Sequence, residues 1–349
     1  MPSFNCPVPN LRLHIDGDAL ARNWQRLNML SGTASAGAAI KANAYGLGIN
    51  SVAPILKEQG VRNYFVTHWC EAASLLRYVA ANDISVLHGP QTSEEAQYAK
   101  SQGLRPVINS LSQAAIWLRA GGGVCDLMVD TGINRLGLDM SEIHDPILQK
   151  LDINLVLSHL ACADEDHPLN AVQLDRARTA FRAINSVGKS LSSSAGIALG
   201  EPYHFDITRP GLALYGGIPR AEFEGVIEQV ATPQAMVIMT RQVAQGATIG
   251  YNATFTAPRP MRVAIVSLGY ADGFLRAWAG KAKFRYGGID LPVLGKISMD
   301  MTVVDCSAAP DVAEGDWVSL PYNLAAASAA TGLSQYELLT VLGERFNSR

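Results

Sequence analysis

The chain has 349 residues, of which 48% are hydrophobic and 17% charged, with a net charge of −3. That length exceeds one ordinary core, so two domains or one large barrel with an appendage are expected. The charge balance offers no basic footprint for nucleic acid and no polybasic patch for a membrane, and no apolar run approaches the length of a membrane span. The first residues lack the charged and apolar regions of a secretion signal. Five cysteines are scattered without a CxxC pair, which fits reduced thiols in a cytoplasm. Cys125 and Cys162 lie in apolar runs and read as core residues.

In chain order, a short strand (Leu11 to Ile15) precedes a helical pattern over Gly17 to Leu30, with Asp16 or Asp18 placed to cap it. Strand-like apolar runs then recur at Ala36–Lys41, Tyr64–Thr67, Ile84–His88, Pro106–Asn109, Cys125–Asp130, Leu155–His159, Ser190–Ser194 and Phe205–Arg209. Helix-period segments separate most of them: Ser51–Glu58, Glu71–Ala81, Glu94–Ser101 and Leu169–Val187. The connection between the seventh and eighth runs is weaker. Eight such strands alternating with helices predict an α/β fold of the parallel (β/α)8 TIM-barrel type. Several runs are apolar at consecutive positions, as strands buried on both faces should be.

Composition changes after Gly217. Short strands broken by Gly and Pro follow at Ala235–Val243, Met261–Ser267, Ile289–Leu294, Met301–Asp305 and Trp317–Ser319, and a helix at Gln335 to Leu342 closes the chain. The expected division is a barrel over 11–224 and a mostly antiparallel β domain over 225–349, with residues 1–16 packing against the second.

Active-site side chains of such a barrel sit at the C-terminal ends of its strands. Lys41 ends the first run, Arg135 follows the fifth, His159 ends the sixth, Ser194 the seventh and Arg209 the eighth. Lys41 stands in Ile40-Lys41-Ala42-Asn43-Ala44-Tyr45-Gly46-Leu47-Gly48. A lysine in an apolar site is costly as an ammonium ion, so burial lowers its pKa and frees a nucleophilic amine, as Schiff-base chemistry with an aldehyde cofactor requires. Ser193-Ser194-Ala195-Gly196 and Arg209-Pro210-Gly211-Leu212 offer hydroxyl and backbone donors to a phosphate. Taken singly, each of these features also has a purely structural reading: a snorkelling lysine, a core histidine, an arginine paired with Asp206.

Together the segments resemble the pyridoxal-phosphate-dependent alanine racemase family, in the family's order from Ile15 to Tyr336. The resemblance implies a homodimeric racemase interconverting L- and D-alanine, supplying D-alanine for peptidoglycan or serving alanine catabolism, with a broad-spectrum, serine or lysine racemase of the same fold as the alternative. It implies that Lys41 holds the cofactor and serves one face of the substrate. Tyr251 of the partner subunit, in Ile249-Gly250-Tyr251-Asn252-Ala253, serves the other. Tyr45, Ser194, Gly211, Leu212 and Tyr336 then hold the phosphate. Arg209 faces the ring nitrogen, with His159 bridging it to the catalytic tyrosine. Arg135 lies near the cofactor's phenolic oxygen and binds the substrate carboxylate with Met299 and Asp300, and Tyr270, Arg276 and Asp164 line the entrance. No metal is expected. Two positions depart from the family pattern. Met128 stands where many relatives carry a lysine that buttresses the arginine, so Arg135 must be oriented otherwise, by an anion or by Asn134. Lys296 replaces an arginine before the Met-Asp pair and cannot reproduce its bidentate geometry.

Overall fold

The computed structural model describes residues 9–343 and 345–348. It divides into two compact units, Gly17–Glu228 and a second made of the residues up to Asp16 with those from Gln229 onward. The first strand, β1 (Leu11–Ile15), belongs to the second unit, and the helix Gly17–Leu30 opens the first.

Within Gly17–Glu228 the strands are short. The first is broken in two at Gly37, giving β2 (Ser35–Ala36) and β3 (Ala38–Ala39). A Cβ on Gly37 would lie 2.6 Å from the Asn63 carbonyl oxygen, so only glycine permits this close approach. There follow β4 (Tyr64–Val66), β5 (Ile84–Val86), β6 (Arg105–Ile108), β7 (Val124–Met128), β8 (Asp152–Leu157), β9 (Gly188–Ser190) and β10 (Ile207–Thr208). Strands β3 to β9 form one continuous parallel sheet. It closes through β10, which pairs with β2 and meets the chain after β9 at the Ser193–Arg209 bridge. This is a (β/α)8 barrel. Strands β4, β5 and β6 are buried at every position, and Phe65, Val107, Met128, Leu155 and Leu157 pack together in the core.

Helices with local caps separate the strands. Thr92 accepts from the Glu95 amide at the start of Ser93–Gln102, which ends on the left-handed Gly103, and Ser110 accepts from the Gln113 amide at the start of Leu111–Arg119. The connection from β7 to β8 has only a 3-10 turn at Pro146–Lys150, whereas the one after β9 holds a short helix, Ser194–Ala198, and a 3-10 turn at Glu201–Tyr203.

The second unit is built on β11 (Ala231–Val243). Its first half pairs antiparallel with β1, and its second half with β14 (Met261–Val266). Between them lies a small hairpin, β12 (Thr248–Ile249) and β13 (Phe255–Thr256). Strands β15 (Lys283–Tyr286), β16 (Ile289–Leu294), β17 (Thr302–Asp305) and β18 (Trp317–Ser319) complete an antiparallel sheet that returns to β11. Strand β11 begins four residues earlier than its predicted Ala235 because Pro233, which reads as a strand breaker, is accommodated opposite Leu13. Strand β15 (Lys-Phe-Arg-Tyr) has too few apolar residues to announce itself. Helices Leu324–Thr331 and Gln335–Thr340 follow. No helix among the described residues is long and apolar enough to cross a membrane.

Candidate active site

Lys41 leaves the barrel rim at the point where the ladder between β3 and β4 stops. The Ile40 amide still donates to the Phe65 carbonyl, but the chain then turns left-handed. Ala42, Asn43, Ala44 and Tyr45 have φ of 52°, 51°, 57° and 54°. Four consecutive non-glycine residues in that region cost about 1–2 kcal/mol each, so surrounding contacts must hold the turn. The Asn43 side chain accepts from the Ile49 amide at the start of the next helix, and Ala44 and Tyr45 are buried. The sequence predicts a strand through Lys41 and then a glycine turn; nothing local announces the left-handed stretch. The Lys41 amine is held below the ordinary lysine range by burial first and then by the Arg135 charge; the Glu71 carboxylate opposes the shift, and Arg209 adds a smaller push downward.

The turn also places the Tyr45 phenol over Gly211, where a Cβ would lie 2.3 Å from the phenol oxygen. The Ser194 hydroxyl accepts from the Gly211 amide (2.9 Å) and the Ala213 amide (3.2 Å), joining the loops after β9 and β10. Tyr45, Ser194, Gly211 and Leu212 therefore surround one spot rich in hydroxyl and amide donors, and these donors fit a phosphate.

Arg209 lies beneath this rim, almost fully buried. Its guanidinium donates to the Ser158 carbonyl at 2.5 Å and to the Ser190 hydroxyl. Asp206 instead accepts from the Lys189 amide, so the ion pair considered from sequence is not made. Burial lowers the Arg209 pKa to about 10, with the Asp126 carboxylate acting in the opposite direction, so it remains a cation and a pure donor. The adjacent His159 is pushed down to about 3, first by burial and then by the charges of Arg209, Arg135 and Lys41; its ring is neutral. A histidine whose folded pKa lies below its unfolded value binds its proton more readily in the unfolded chain. Its contribution therefore lowers stability as pH falls from 6.5 toward 3. His159→Gln is expected to flatten this dependence, seen as a smaller drop in the urea midpoint between about pH 7 and about pH 4.5 than in the unsubstituted protein. An equal drop would show that the ring does not titrate in this way.

Arg135 is exposed on the loop after β7, and its guanidinium makes no ion pair among the described residues. Its main chain, however, is fixed. Asp130 accepts from the amides of Gly132, Asn134 and Arg135 at 2.7–3.1 Å, and Asn134 takes φ 57°. Asp130 thus fixes the main chain of the loop that carries Arg135. Met128 packs in the apolar barrel core. Gln173 ties the loops after β7 and β8 together, its amide nitrogen donating to the His159 carbonyl and the Thr131 hydroxyl and its oxygen accepting from Ala161. Asp130 and Gln173 escaped the sequence reading because an acceptor for backbone amides has no motif of its own.

The remaining predicted residues lie elsewhere. Asp164 is exposed in the barrel unit. In the β unit, Tyr251 is 63% exposed at the tip between β12 and β13, where Asn252 and Ala253 have φ of 62° and 49°. Lys296 donates to the Asn252 side chain at 3.0 Å, so it tethers the turn carrying Tyr251. Arg276 stacks 5.2 Å from the Tyr270 ring centre. Met299 and Tyr336 are exposed. The Asp300 carboxylate is taken by Arg345, which also binds the buried Asp272, giving the C-terminal tail an anchoring role that its sequence did not suggest. The Ser298 and Met299 carbonyls accept from the Tyr270 and Ala271 amides, and Gly269 is required there because a Cβ would meet the Met299 carbonyl at 2.3 Å.

Residues 15–219 match the family described as alanine racemase, N-terminal domain, and residues 230–349 match alanine racemase, C-terminal domain. The chain is 38% identical to the biosynthetic alanine racemase of Agrobacterium fabrum over 96% of this chain and 92% of that protein. It is 39% identical to the catabolic alanine racemase of the same organism, over 96% of this chain and 90% of that protein. The crystal structure of alanine racemase from Bartonella henselae with covalently bound pyridoxal phosphate is similar at a TM-score of 0.88 and 33% identity, covering 98% of this chain and 99% of that one.

Proposed function

The chain belongs to the alanine racemase family, and from that premise we propose how its residues divide the reaction. It is a pyridoxal-phosphate-dependent amino-acid racemase that interconverts L- and D-alanine. The observation that carries the assignment of residues is the barrel rim, where a lysine of lowered pKa, a donor-rich spot for phosphate and a buried arginine lie on successive loops.

Pyridoxal phosphate, when bound, supplies an aldehyde for the amino group and a conjugated ring that accepts the electrons released as the Cα–H bond breaks. Lys41 holds that aldehyde and afterwards moves the proton on the D-isomer face. Tyr45, Ser194, Gly211, Leu212 and Tyr336 bind the phosphate. Arg209 donates to the ring nitrogen without protonating it, which leaves the ring a weaker electron acceptor and favours return of the proton over loss of the amino group. Arg135 and the backbone at Met299 and Asp300 bind the substrate carboxylate. Tyr251 moves the proton on the L-isomer face, since one base alone would return the proton to the side it came from. A free phenol has a pKa near 10; the positive charge of Arg209, with neutral His159 as a hydrogen-bonding bridge rather than a base, favours the phenolate. Tyr270, Arg276 and Asp164 border the entrance.

In this reading Tyr251 comes from a second copy of the chain, so the protein acts as a homodimer; the described cysteines are unpaired and scattered, which fits a cytoplasmic location. The product serves peptidoglycan synthesis or alanine catabolism; relatives named for either role lie at the same distance. Incubation with L-alanine, L-serine and L-lysine, followed by chiral chromatography, tests the substrate. Rapid formation of D-alanine alone is expected. Comparable rates on all three would make the protein a broad-spectrum racemase, and no turnover of alanine would overturn the reading.

A further inference from the structure

The parallel ladder between β3 and β4 advances by two residues per rung: the Ala38 amide donates to the Asn63 carbonyl and the Ile40 amide to the Phe65 carbonyl. The next rung would join the Ala42 amide to the Thr67 carbonyl. It does not form, because the chain turns left-handed at Ala42. Glu71 fills the gap with its side chain. One carboxylate oxygen accepts from the Ala42 amide at 2.6 Å, and the other accepts from the amides of Thr67 at 2.7 Å and His68 at 3.1 Å. A single carboxylate therefore spans the ends of both strands and grips the peptide unit that follows Lys41.

We propose that Glu71 is a positioning residue for Lys41, a clamp that replaces the missing rung and holds the left-handed turn so that the amine is presented to the cofactor. Only an ionised carboxylate accepts on both sides, whereas an amide would turn a donor NH2 toward at least one backbone N–H. The turn it holds is intrinsically unfavourable, so loss of the clamp lets Ala42 relax and moves the lysine from its place. Asn43 and the burial of Ala44 secure the later part of the turn, while the Ala42 amide is taken by Glu71. The inference rests on Lys41 holding pyridoxal phosphate.

The test compares the holoenzyme with Glu71→Gln, Ala42→Gly and the double variant. Glycine enters the left-handed region without steric cost, so it should restore the turn that the lost carboxylate no longer holds. Glu71→Gln is expected to lower kcat for L-alanine by about a hundredfold with KM changed less than about threefold, and to speed release of pyridoxal phosphate from diluted holoenzyme, followed by absorbance. The double variant should regain about tenfold in kcat and slow that release again. A residue that only started the helix Trp69–Leu75 would not be rescued by glycine at position 42. Unchanged kcat and release in Glu71→Gln, or a double variant no better than the single, would overturn the proposal. So would failure of both to fold. Absence of racemisation in the unsubstituted protein would sink the functional reading instead, and the release rates would still judge the clamp.

Discussion

Replacing Tyr251 with phenylalanine is expected to lower racemisation in both directions by about three orders of magnitude while leaving cofactor content unchanged. The side chain is 63% exposed within its own chain, so removing the hydroxyl opens no cavity and leaves the turn intact. The Lys296–Asn252 bond, which shapes that turn, does not involve the phenol. The loss should also be one-sided in a way that general damage would not be. With Lys41 in place, D-alanine in deuterated water should still exchange its α-hydrogen and remain D, whereas L-alanine should not exchange. Proton NMR of the α position reads both. Racemisation at the normal rate, or equal loss of exchange from the two isomers, would remove Tyr251 from its assigned face.

Arg209→Glu is expected to cut racemisation by about a hundredfold and to raise the pyruvate formed per racemisation event, measured with a coupled lactate dehydrogenase assay. A guanidinium can only donate to the ring nitrogen. A carboxylate favours the protonated ring, which withdraws electrons more strongly and gives the proton time to return to the wrong carbon. The substitution also removes the donor to the Ser158 carbonyl, an unsatisfied buried acceptor that costs about 1–3 kcal/mol. Arg209→Gln, which also loses the guanidinium but brings in no negative charge, controls for that loss. Stability should fall in both variants, but pyruvate should rise only in Arg209→Glu. An unchanged pyruvate ratio would refute the argument about the ring nitrogen.

Much of the barrel was legible from the sequence because its signals are local. Runs such as Tyr64–Thr67 and Ile84–His88 are apolar at successive positions, and helices such as Leu169–Ala183 carry their own period. The connection between the seventh and eighth runs, β9 and β10, was hard to read because it holds only the short helix Ser194–Ala198 and a 3-10 turn at Glu201–Tyr203. The same is true of β15, whose burial depends on its neighbours.

The sequence by itself determined the fold class, which follows from apolar runs and helical periods along the chain, and its motifs carried the resemblance to the family and what that implies for Lys41, Arg209 and Tyr251. Only the tertiary structure decided how those groups are held. It put Ala42 to Tyr45 into a left-handed turn, gave Arg209 to Ser158 and Ser190 rather than to Asp206, and made Arg345 the partner of Asp272 and Asp300. It also brought the Glu71 carboxylate to a backbone amide 29 residues away. The physical reason is that periodicity and propensity act within a few residues, whereas strain, desolvation and the satisfaction of backbone amides depend on which distant groups the fold brings within hydrogen-bonding reach.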